Sequence, residues 1–346
     1  MKCWRGNNMN DVIPTQNLTK KDFISGQDVR WCPGCGDYAI LSQVQKVFPE
    51  LGVPKENFLI ISGIGCSSRF PYYMNTYGFH SIHGRATALA SGAKIANPDL
   101  SVWVITGDGD GLAIGGNHMI HLLRRNLNLN VLLFNNRIYG LTKGQYSPTS
   151  ELGKISKSTP TGSVDYPFNP LQLALGAEGT FVARGVDRDQ VHLRELLKRA
   201  HEHEGTSFLE IYQNCVIFND GAFAHLTDKE KREEAMLVLE HGHPMLFGKE
   251  RNKGLHLNGS RLEVVTIGNR YGISDILIHD ERNKVQALLL SELTYGDEFP
   301  TPIGVLYRED KPAYEVMLKE QIDARQKIMG KGNLHRLFHD GNTWKV

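Results

Sequence analysis

One stretch, residues 102–140, constrains the fold of this chain more than any other. It reads VWVITGDGDGLAIGGNHMIHLLRRNLNLNVLLFNNRIYG, in which two apolar runs flank a segment with the 3.6-residue period of a helix. A Gly-Asp-Gly-Asp sequence at 107–110 follows the first run, and Asn135-Asn136 follows the second. Strand, helix and strand in this order predict a βαβ unit, whose parallel strands end at the same edge of a sheet.

The polar residues that follow the two apolar runs predict a metal site. Asp108 and Asn136 would lie at neighbouring strand ends, in the crevice where open α/β sheets bind ligands. A carboxylate and an amide oxygen suit Mg²⁺, which commonly bridges to phosphates, and the glycines let the backbone approach a diphosphate. The rival phosphate motifs GxGxxG, at the start of this helix, and GxxxxGK[ST] are missing. The alternative is a glycine-rich strand end with a surface acid.

The separation of the two polar motifs narrows the phosphate ligand. Asp108 and Asn136 are 28 positions apart, which is the spacing of the thiamine diphosphate signature. By the same motif, the main-chain carbonyl of Ile138 would be a third metal ligand. The main-chain amides of four residues would face the diphosphate: Gly109, Asp110, Gly140 and Leu141.

The cysteines predict a second site. The chain has five, an odd number that argues against a disulfide framework. Cys32 and Cys35 form a CPGC motif, Cys66 lies in GIGCS, Cys215 lies in QNCVIF, and Cys3 lies in a polar N-terminal segment. A CxxC motif alone fits zinc, a redox dithiol or an iron–sulfur cluster. Cys66 and Cys215 fall at the ends of predicted strands, at the same edge of the sheet as Asp108 and Asn136. Four thiolates can therefore converge at this edge, which favours a [4Fe–4S] cluster over zinc or unrelated buried thiols.

The remaining patterns alternate between helix and strand, which predicts a doubly wound, mostly parallel α/β sheet with helices on both faces. We predict helices at 38–48, 86–96, 112–125 and 188–202, and strands at 58–62, 101–106, 130–134, 180–184, 207–213 and 262–267. Three parts are expected: an N-terminal arm at 1–27, a cofactor-binding domain at 28–222, and a partly helical C-terminal extension at 223–346 that packs on the core or on a partner subunit.

Composition excludes several classes of protein. The formal charge of +1 gives no electrostatic case for binding nucleic acid or an anionic membrane. No apolar run approaches the roughly 18–20 residues that span a bilayer. The first 30 residues lack the apolar core of a secretory signal, so a cytoplasmic location is expected.

Taken together, these motifs resemble the β subunits of the 2-oxoacid:ferredoxin oxidoreductases, with the nearest likeness to the 2-oxoglutarate synthase branch. The resemblance covers roughly residues 25–225 and is carried by WCPGCGDYAIL, GIGCSSRFPYY, HSIHGRA, GDGDGLAIGGNH, NNRIYGLTKGQYSPTS and the Cys215 segment. It implies a sheet of the thiamine diphosphate-binding type and a [4Fe–4S] cluster on Cys32, Cys35, Cys66 and Cys215. It implies Mg²⁺ on Asp108, Asn136 and Ile138, and a thiamine site lined by Ile64, Gly65, Cys66, Ser67 and His83.

The resemblance also implies an activity. Thiamine diphosphate would act as the electron sink for decarboxylation of 2-oxoglutarate, coenzyme A would take the acyl group as succinyl-CoA, and the cluster would pass electrons to ferredoxin. No glutamate is an obvious candidate to protonate the aminopyrimidine of the cofactor, and in the family the companion α subunit supplies it. Alternatives are the same reaction on pyruvate or branched 2-oxoacids, a non-oxidative thiamine-dependent decarboxylase subunit, and a zinc-stapled interaction module.

Several polar residues allow two interpretations. His83 would donate to the diphosphate or cap the helix that follows it. Lys143 would contact the 2-oxoacid, as the corresponding lysine of the family does, or would be a solvated loop residue. The pair His201 and His203 lies on a charged helix and is expected to face solvent.

Overall fold

The computed structural model describes residues 18–268, 270–293, 298–341 and 343–344. The strands within these residues are β1 (Phe58–Ser62), β2 (Tyr77–His80), β3 (Ser101–Gly107), β4 (Leu129–Asn135), β5 (Phe181–Val186), β6 (Thr206–Tyr212), β7 (Met236–Val238), β8 (Leu246–Phe247), β9 (Lys253–Asn258), β10 (Arg261–Thr266) and β11 (Thr301–Arg308). The helices are α1 (Asp37–Val47), α2 (Phe70–Tyr73), α3 (Ala86–Ala96), α4 (Asp108–Leu112), α5 (Gly116–Arg125), α6 (Pro170–Gly176), α7 (Gln190–Glu202), α8 (Ala224–Thr227), α9 (Arg232–Ala235), α10 (Lys284–Ser291), α11 (Tyr314–Met329) and α12 (Leu334–Phe338).

Eight strands form one sheet in the order β2-β1-β3-β4-β6-β5-β11-β7. Neighbouring strands are parallel except for β11 and β5, which are antiparallel. Every residue of β4, β5 and β6 is buried, as expected for parallel strands that are covered on both faces. The predicted mostly parallel sheet is confirmed.

Helices cover both faces of this sheet, because successive strand residues point to opposite sides. Val104 and Val131 pack in one apolar layer beneath α3 and α5, whereas Ile105 and Leu132 pack in a second layer beneath α1 and α7. Each helix contributes apolar residues at helical spacing. The doubly wound arrangement predicted from the alternating patterns is therefore present.

The segment between β3 and β4 differs from the single helix predicted at 112–125. Two helices occur there, since α4 begins at Asp108 directly after β3 and the chain turns at Ala113 (φ −82°, ψ −105°) before α5 begins at Gly116. The turn fits against another loop: a Cβ on Gly115 would lie 2.6 Å from the carbonyl oxygen of Asp110 and 3.1 Å from the Cα of Gly84. This close packing between distant segments sets the break.

Part of the C-terminal extension packs on the core. Its strand β11 pairs with β5 and its strand β7 pairs with β11, so strands from both sides of residue 222 share one sheet. Strands β8, β9 and β10 form a separate antiparallel sheet, which includes the strand predicted at 262–267.

The N-terminal arm lies partly outside the described residues, and Cys3 is among those not described. In its described part, the Phe23 ring is buried between Phe48 and Phe58, with ring centroids 5.6 and 5.5 Å away. The arm therefore packs on the second apolar layer at this point.

Candidate active site

The loops that follow β1, β3 and β4 surround a cavity of about 600 Å³, hereafter the thiamine cavity. In the sheet, β1 has β2 on one side and β3 on the other. The cavity therefore lies where the strand order reverses. Every residue predicted for the metal and the thiamine diphosphate lines it: Ile64, Gly65, Cys66, Ser67, His83, Asp108, Gly109, Asp110, Asn136, Ile138, Gly140 and Leu141.

The Asp108 carboxylate is held by two hydroxyl groups from a distant loop. Its Oδ2 accepts hydrogen bonds from Ser147 Oγ at 2.5 Å and from Thr149 Oγ1 at 2.6 Å. The side chain is 2% exposed, and this burial raises the pKa of the carboxyl to about 6 although both hydroxyl groups act to lower it. Because a buried carboxylate gains most from a cation beside it, this site suits a metal ion.

The loop after β4 turns tightly between the other two predicted metal ligands. Asn136 Oδ1 accepts a hydrogen bond from the main-chain amide of Ile138 at 3.1 Å. Between them, Arg137 has φ 56°, in the left-handed region that non-glycine residues seldom occupy. Its guanidinium pairs with Glu151 at 2.8 Å and lies 4.8 Å from the ring centroid of Phe223, contacts that hold this conformation in place.

Asp110 has a role that sequence reasoning missed. Its Oδ1 accepts hydrogen bonds from the main-chain amides of Ile64 and Gly84, at 3.0 and 2.7 Å, and its Oδ2 accepts one from Thr106 Oγ1 at 2.6 Å. The carboxylate therefore ties the loops after β1 and β2 to α4. Its Oδ1 also lies 2.8 Å from His83 Nδ1. This contact fixes the ring in the cavity wall, and His83 does not cap α3, whose N-cap residue is Arg85.

Tyr139 is a second residue that the sequence did not indicate. Its hydroxyl donates to the carbonyl oxygen of Gly109 at 2.9 Å, and a Cβ on Gly109 would overlap its ring. Burial, together with the nearby Asp108 and Asp110, raises the pKa of the phenol to about 12. Gly109 is thus required by the packing of this ring, in addition to any approach of a diphosphate.

The four predicted cluster ligands line a second cavity of about 230 Å³, hereafter the cysteine cavity. A Cβ on Gly140 would lie 3.6 Å from both Cys66 Sγ and Cys215 Sγ, so these sulfurs are at most twice that distance, 7.2 Å, apart. Burial raises the pKa of the Cys66 thiol to about 11 and raises that of Cys35 further. Within the described ranges, no three His, Cys, Asp or Glu side chains lie close enough to share one metal ion. The thiols surround a volume instead of meeting at a point.

Hydrogen bonds join the three segments that carry these cysteines. Trp31 Nε1 donates to the carbonyl oxygen of Cys66 at 2.6 Å, and the amide of Gly36 donates to the carbonyl oxygen of Asn214 at 3.1 Å. Gln213 Nε2 lies 3.3 Å from Cys35 Sγ, within the range of an N–H···S bond. These hydrogen bonds hold the three cysteine-bearing segments next to one another.

The two cavities share one wall. Cys66, Asn136, Gly140 and Leu141 line both of them. Lys143 lines the cysteine cavity, but it is not among the residues that line the thiamine cavity. Its predicted contact with a 2-oxoacid therefore stays a prediction.

The expectation that His201 and His203 face solvent is wrong for His203. This side chain is 2% exposed, and its Nε2 lies 2.8 Å from Thr180 Oγ1. Burial lowers its pKa to about 4. The His201 ring stacks on Trp103, with centroids 6.1 Å apart and 13° between the planes. The His201 imidazole on α7 and that of His203, the C-cap residue that follows the helix, therefore both lie toward the core.

Comparisons with known proteins agree with this geometry. Residues 63–211 match the family described as thiamine pyrophosphate enzyme, C-terminal TPP binding domain. None of the helices in the described part of the chain is long and apolar enough to cross a membrane.

Similar proteins extend the match over almost the whole chain. The 2-oxoglutarate oxidoreductase subunit KorB of Mycobacterium tuberculosis is 51% identical over 97% of this chain and 91% of its own length. A 2-oxoacid:ferredoxin oxidoreductase subunit beta from Sulfolobus sp is 46% identical over 88% of this chain and 92% of its own. The solved 2-oxoglutarate:ferredoxin oxidoreductase from Magnetococcus marinus, with 2-oxoglutarate, coenzyme A and succinyl-CoA bound, superposes with a TM-score of 0.73 at 33% identity, covering 94% of this chain and 95% of that one. The chain belongs to the family of β subunits of the 2-oxoacid:ferredoxin oxidoreductases.

Proposed function

We propose that this chain carries the diphosphate half of a thiamine diphosphate site and a [4Fe–4S] cluster in a 2-oxoglutarate:ferredoxin oxidoreductase. The reaction is the reversible oxidative decarboxylation of 2-oxoglutarate to succinyl-CoA and CO₂, with ferredoxin as electron acceptor. One observation carries the proposal: the thiamine cavity and the cysteine cavity share a wall, so a group that loses electrons and a group that accepts them would be neighbours.

The residues at the thiamine cavity fit Mg²⁺ and a diphosphate. Asp108 offers a buried carboxylate, Asn136 an amide oxygen and Ile138 a main-chain carbonyl, which together form the hard oxygen set that Mg²⁺ takes. Gly140 leaves the wall of the cavity without a side chain, so backbone amides can approach phosphate oxygens.

The cysteine cavity fits an iron–sulfur cluster better than zinc. A structural zinc site brings four ligands to about 2.3 Å from a single ion. The thiols here surround a volume, and the described residues contain no group of three such ligands around one point. Buried thiols with raised pKa values are poor anions by themselves, so a positively charged iron core would stabilise them as thiolates.

The chain's own residues bind, orient and enclose the cofactor. When bound, thiamine diphosphate supplies the electron sink for loss of CO₂ from a 2-oxoacid. Asp110 orients His83 beside the diphosphate region, and Tyr139 covers the backbone at Gly109. Cys66 lines both cavities, so a cluster bound by this residue would lie against the cofactor site.

A partner subunit completes the site. Among the described residues that line the thiamine cavity, the acids are Asp108 and Asp110, and both carboxylates are bonded to neighbours within the chain. The glutamate that thiamine chemistry uses as a general acid must then come from elsewhere, as an α subunit would provide it. The names of the similar proteins favour 2-oxoglutarate as the substrate.

The test is anaerobic purification of the chain with its α subunit, followed by iron, sulfide, zinc and thiamine diphosphate analysis. We expect about four irons per β chain and ferredoxin reduction that depends on coenzyme A and prefers 2-oxoglutarate to pyruvate. Cys215→Ser should lose the iron, whereas the matched control Cys3→Ser should keep it. Zinc in place of iron, or turnover by the isolated chain, would refute the proposal.

A further inference from the structure

Asn219 connects the loop that carries the proposed metal ligand Asn136 with the turn that carries Cys215. Its Nδ2 donates to the main-chain carbonyl oxygen of Asn136 at 2.9 Å. Its own amide donates to the carbonyl oxygen of Cys215 at 3.0 Å, which closes that turn as an isolated β-bridge. The residue is 7% exposed, so both hydrogen bonds are shielded from water.

This connection lies beyond the end of the sheet. Strands β4 and β6 pair as far as Asn135 and Tyr212, and the amide of Gln213 still donates to the carbonyl oxygen of Asn135. After these residues, the two segments of the chain separate around the wall that the cavities share. Asn219, which follows Cys215 in sequence, joins the segments again through its hydrogen bond to Asn136.

A ring of polar contacts holds the Asn219 side chain in place. Its Oδ1 accepts a hydrogen bond from Lys154 Nζ, and the same ammonium lies 4.0 Å from Glu151. Glu151 in turn pairs with Arg137, the left-handed residue next to Asn136. The ring therefore returns to the metal-ligand loop from the opposite side, so Asn219 is connected to that loop at both Asn136 and Arg137.

We propose that Asn219 is a positioning residue that couples the two cofactor sites, so that binding of Mg²⁺–thiamine diphosphate changes the reduction potential of the cluster. The inference rests on the proposed function. Binding of a metal by Asn136 would shift its carbonyl, and the Asn219 amide would carry that shift into the turn that holds Cys215. The hydrogen bonds to the cluster sulfurs, and the positions of the groups around them, tune the reduction potential of the cluster. By linkage, reduction of the cluster changes the affinity for the cofactor by the same factor.

The test measures the cluster midpoint potential in the intact αβ complex, by redox titration followed with electron paramagnetic resonance, with and without Mg²⁺–thiamine diphosphate. We expect the wild type to show at least a tenfold coupling factor, which is 59 mV for a one-electron couple. Asn219→Leu, which has similar volume and no donor, should show less than twofold coupling. The matched control Asn252→Leu, at an asparagine outside both cavities, should keep the wild-type shift.

A second variant guards against loss of folding. Asn219→Asp keeps an acceptor for Lys154 but removes the donor to Asn136, so it should also lose the coupling. Either variant with full iron and cofactor content and an unchanged shift would overturn the inference, and loss of iron from both would assign Asn219 a purely structural role. A wild type without iron refutes the proposed function, whereas a wild type with iron and cofactor but no shift refutes this inference alone.

Discussion

Replacing Thr149 with valine removes one hydroxyl from the proposed metal site and leaves the rest of the fold in place. The residue is fully buried, its hydroxyl lies 2.6 Å from Asp108 Oδ2 and 2.8 Å from Asn135 Oδ1, and valine has nearly the same shape. The hydroxyl has one proton for two acceptors. The charged carboxylate is the stronger acceptor, so we expect the proton to be on the Asp108 side.

The magnitude follows from that one hydrogen bond. The bond exists before the cofactor binds, so its loss acts on affinity through the orientation of the carboxylate, and removing such a partner of a metal ligand typically costs about 10- to 100-fold in affinity. Ser147 still donates to the same oxygen of Asp108, so the lower end of this range applies. Loss of the bond also raises the pKa of the Asp108 carboxyl, because the hydroxyl group acts to lower it. We expect Thr149→Val to weaken cofactor binding about 10- to 30-fold.

The assay is calorimetric titration of thiamine diphosphate, at fixed Mg²⁺, into the αβ complex stripped of both. Thr161→Val, at an exposed threonine of the same long loop, is the matched control and should bind within twofold of the wild type. Ser147→Ala and the double variant complete a cycle, in which the two hydroxyl groups should be non-additive since they share one oxygen. A folded Thr149→Val complex that binds as tightly as the wild type would refute the reasoning.

Three further predictions address the cysteine cavity, the sheet and the pH dependence. Gly140→Leu should abolish most iron incorporation, because its side chain would fill the space between Cys66 Sγ and Cys215 Sγ, whereas Gly140→Ala should retain iron on analysis of the purified complex. Arg184→Met should lower the free energy of unfolding by about 3–5 kcal/mol, since it leaves the fully buried Glu210 carboxylate without the guanidinium 2.7 Å away; adding Glu210→Leu should restore much of this loss in urea denaturation. The pKa of His203 is about 4 in the folded chain and about 6.5 unfolded, so the unfolded state binds the proton first and stability falls as the pH drops from 6.5 towards 4. This effect on the free energy of unfolding is about 3 kcal/mol. His203→Gln should therefore lose less of its free energy of unfolding than the wild type between pH 7.5 and 4.5, as measured by urea denaturation, and equal losses in both proteins would contradict the prediction.

Local pattern was sufficient for much of the fold and the site. The apolar runs at 101–106 and 130–134 are β3 and β4 within one or two residues, because a buried parallel strand is a short apolar run whatever its neighbours. The rule that parallel strands end at one edge then brings Asp108 and Asn136 to the same cavity. The short edge strand β2 and the late strand β11 were not predicted. One lies exposed along its whole length, and the other joins the sheet through pairing with β5.

By itself, the sequence determined which residue types stand at the strand ends: the carboxylate, the amide and the glycines of the thiamine cavity, and four cysteines. Only the tertiary structure decided how they are held. The hydrogen bond between Asp110 and Ile64 joins residues that are 46 positions apart in the sequence, and the one between Asn219 and Asn136 joins residues 83 positions apart. No local periodicity reports such contacts, because they form when separate loops meet beyond the ends of the strands. For the same reason, the wall that the two cavities share is a property of the folded chain and not of any one motif.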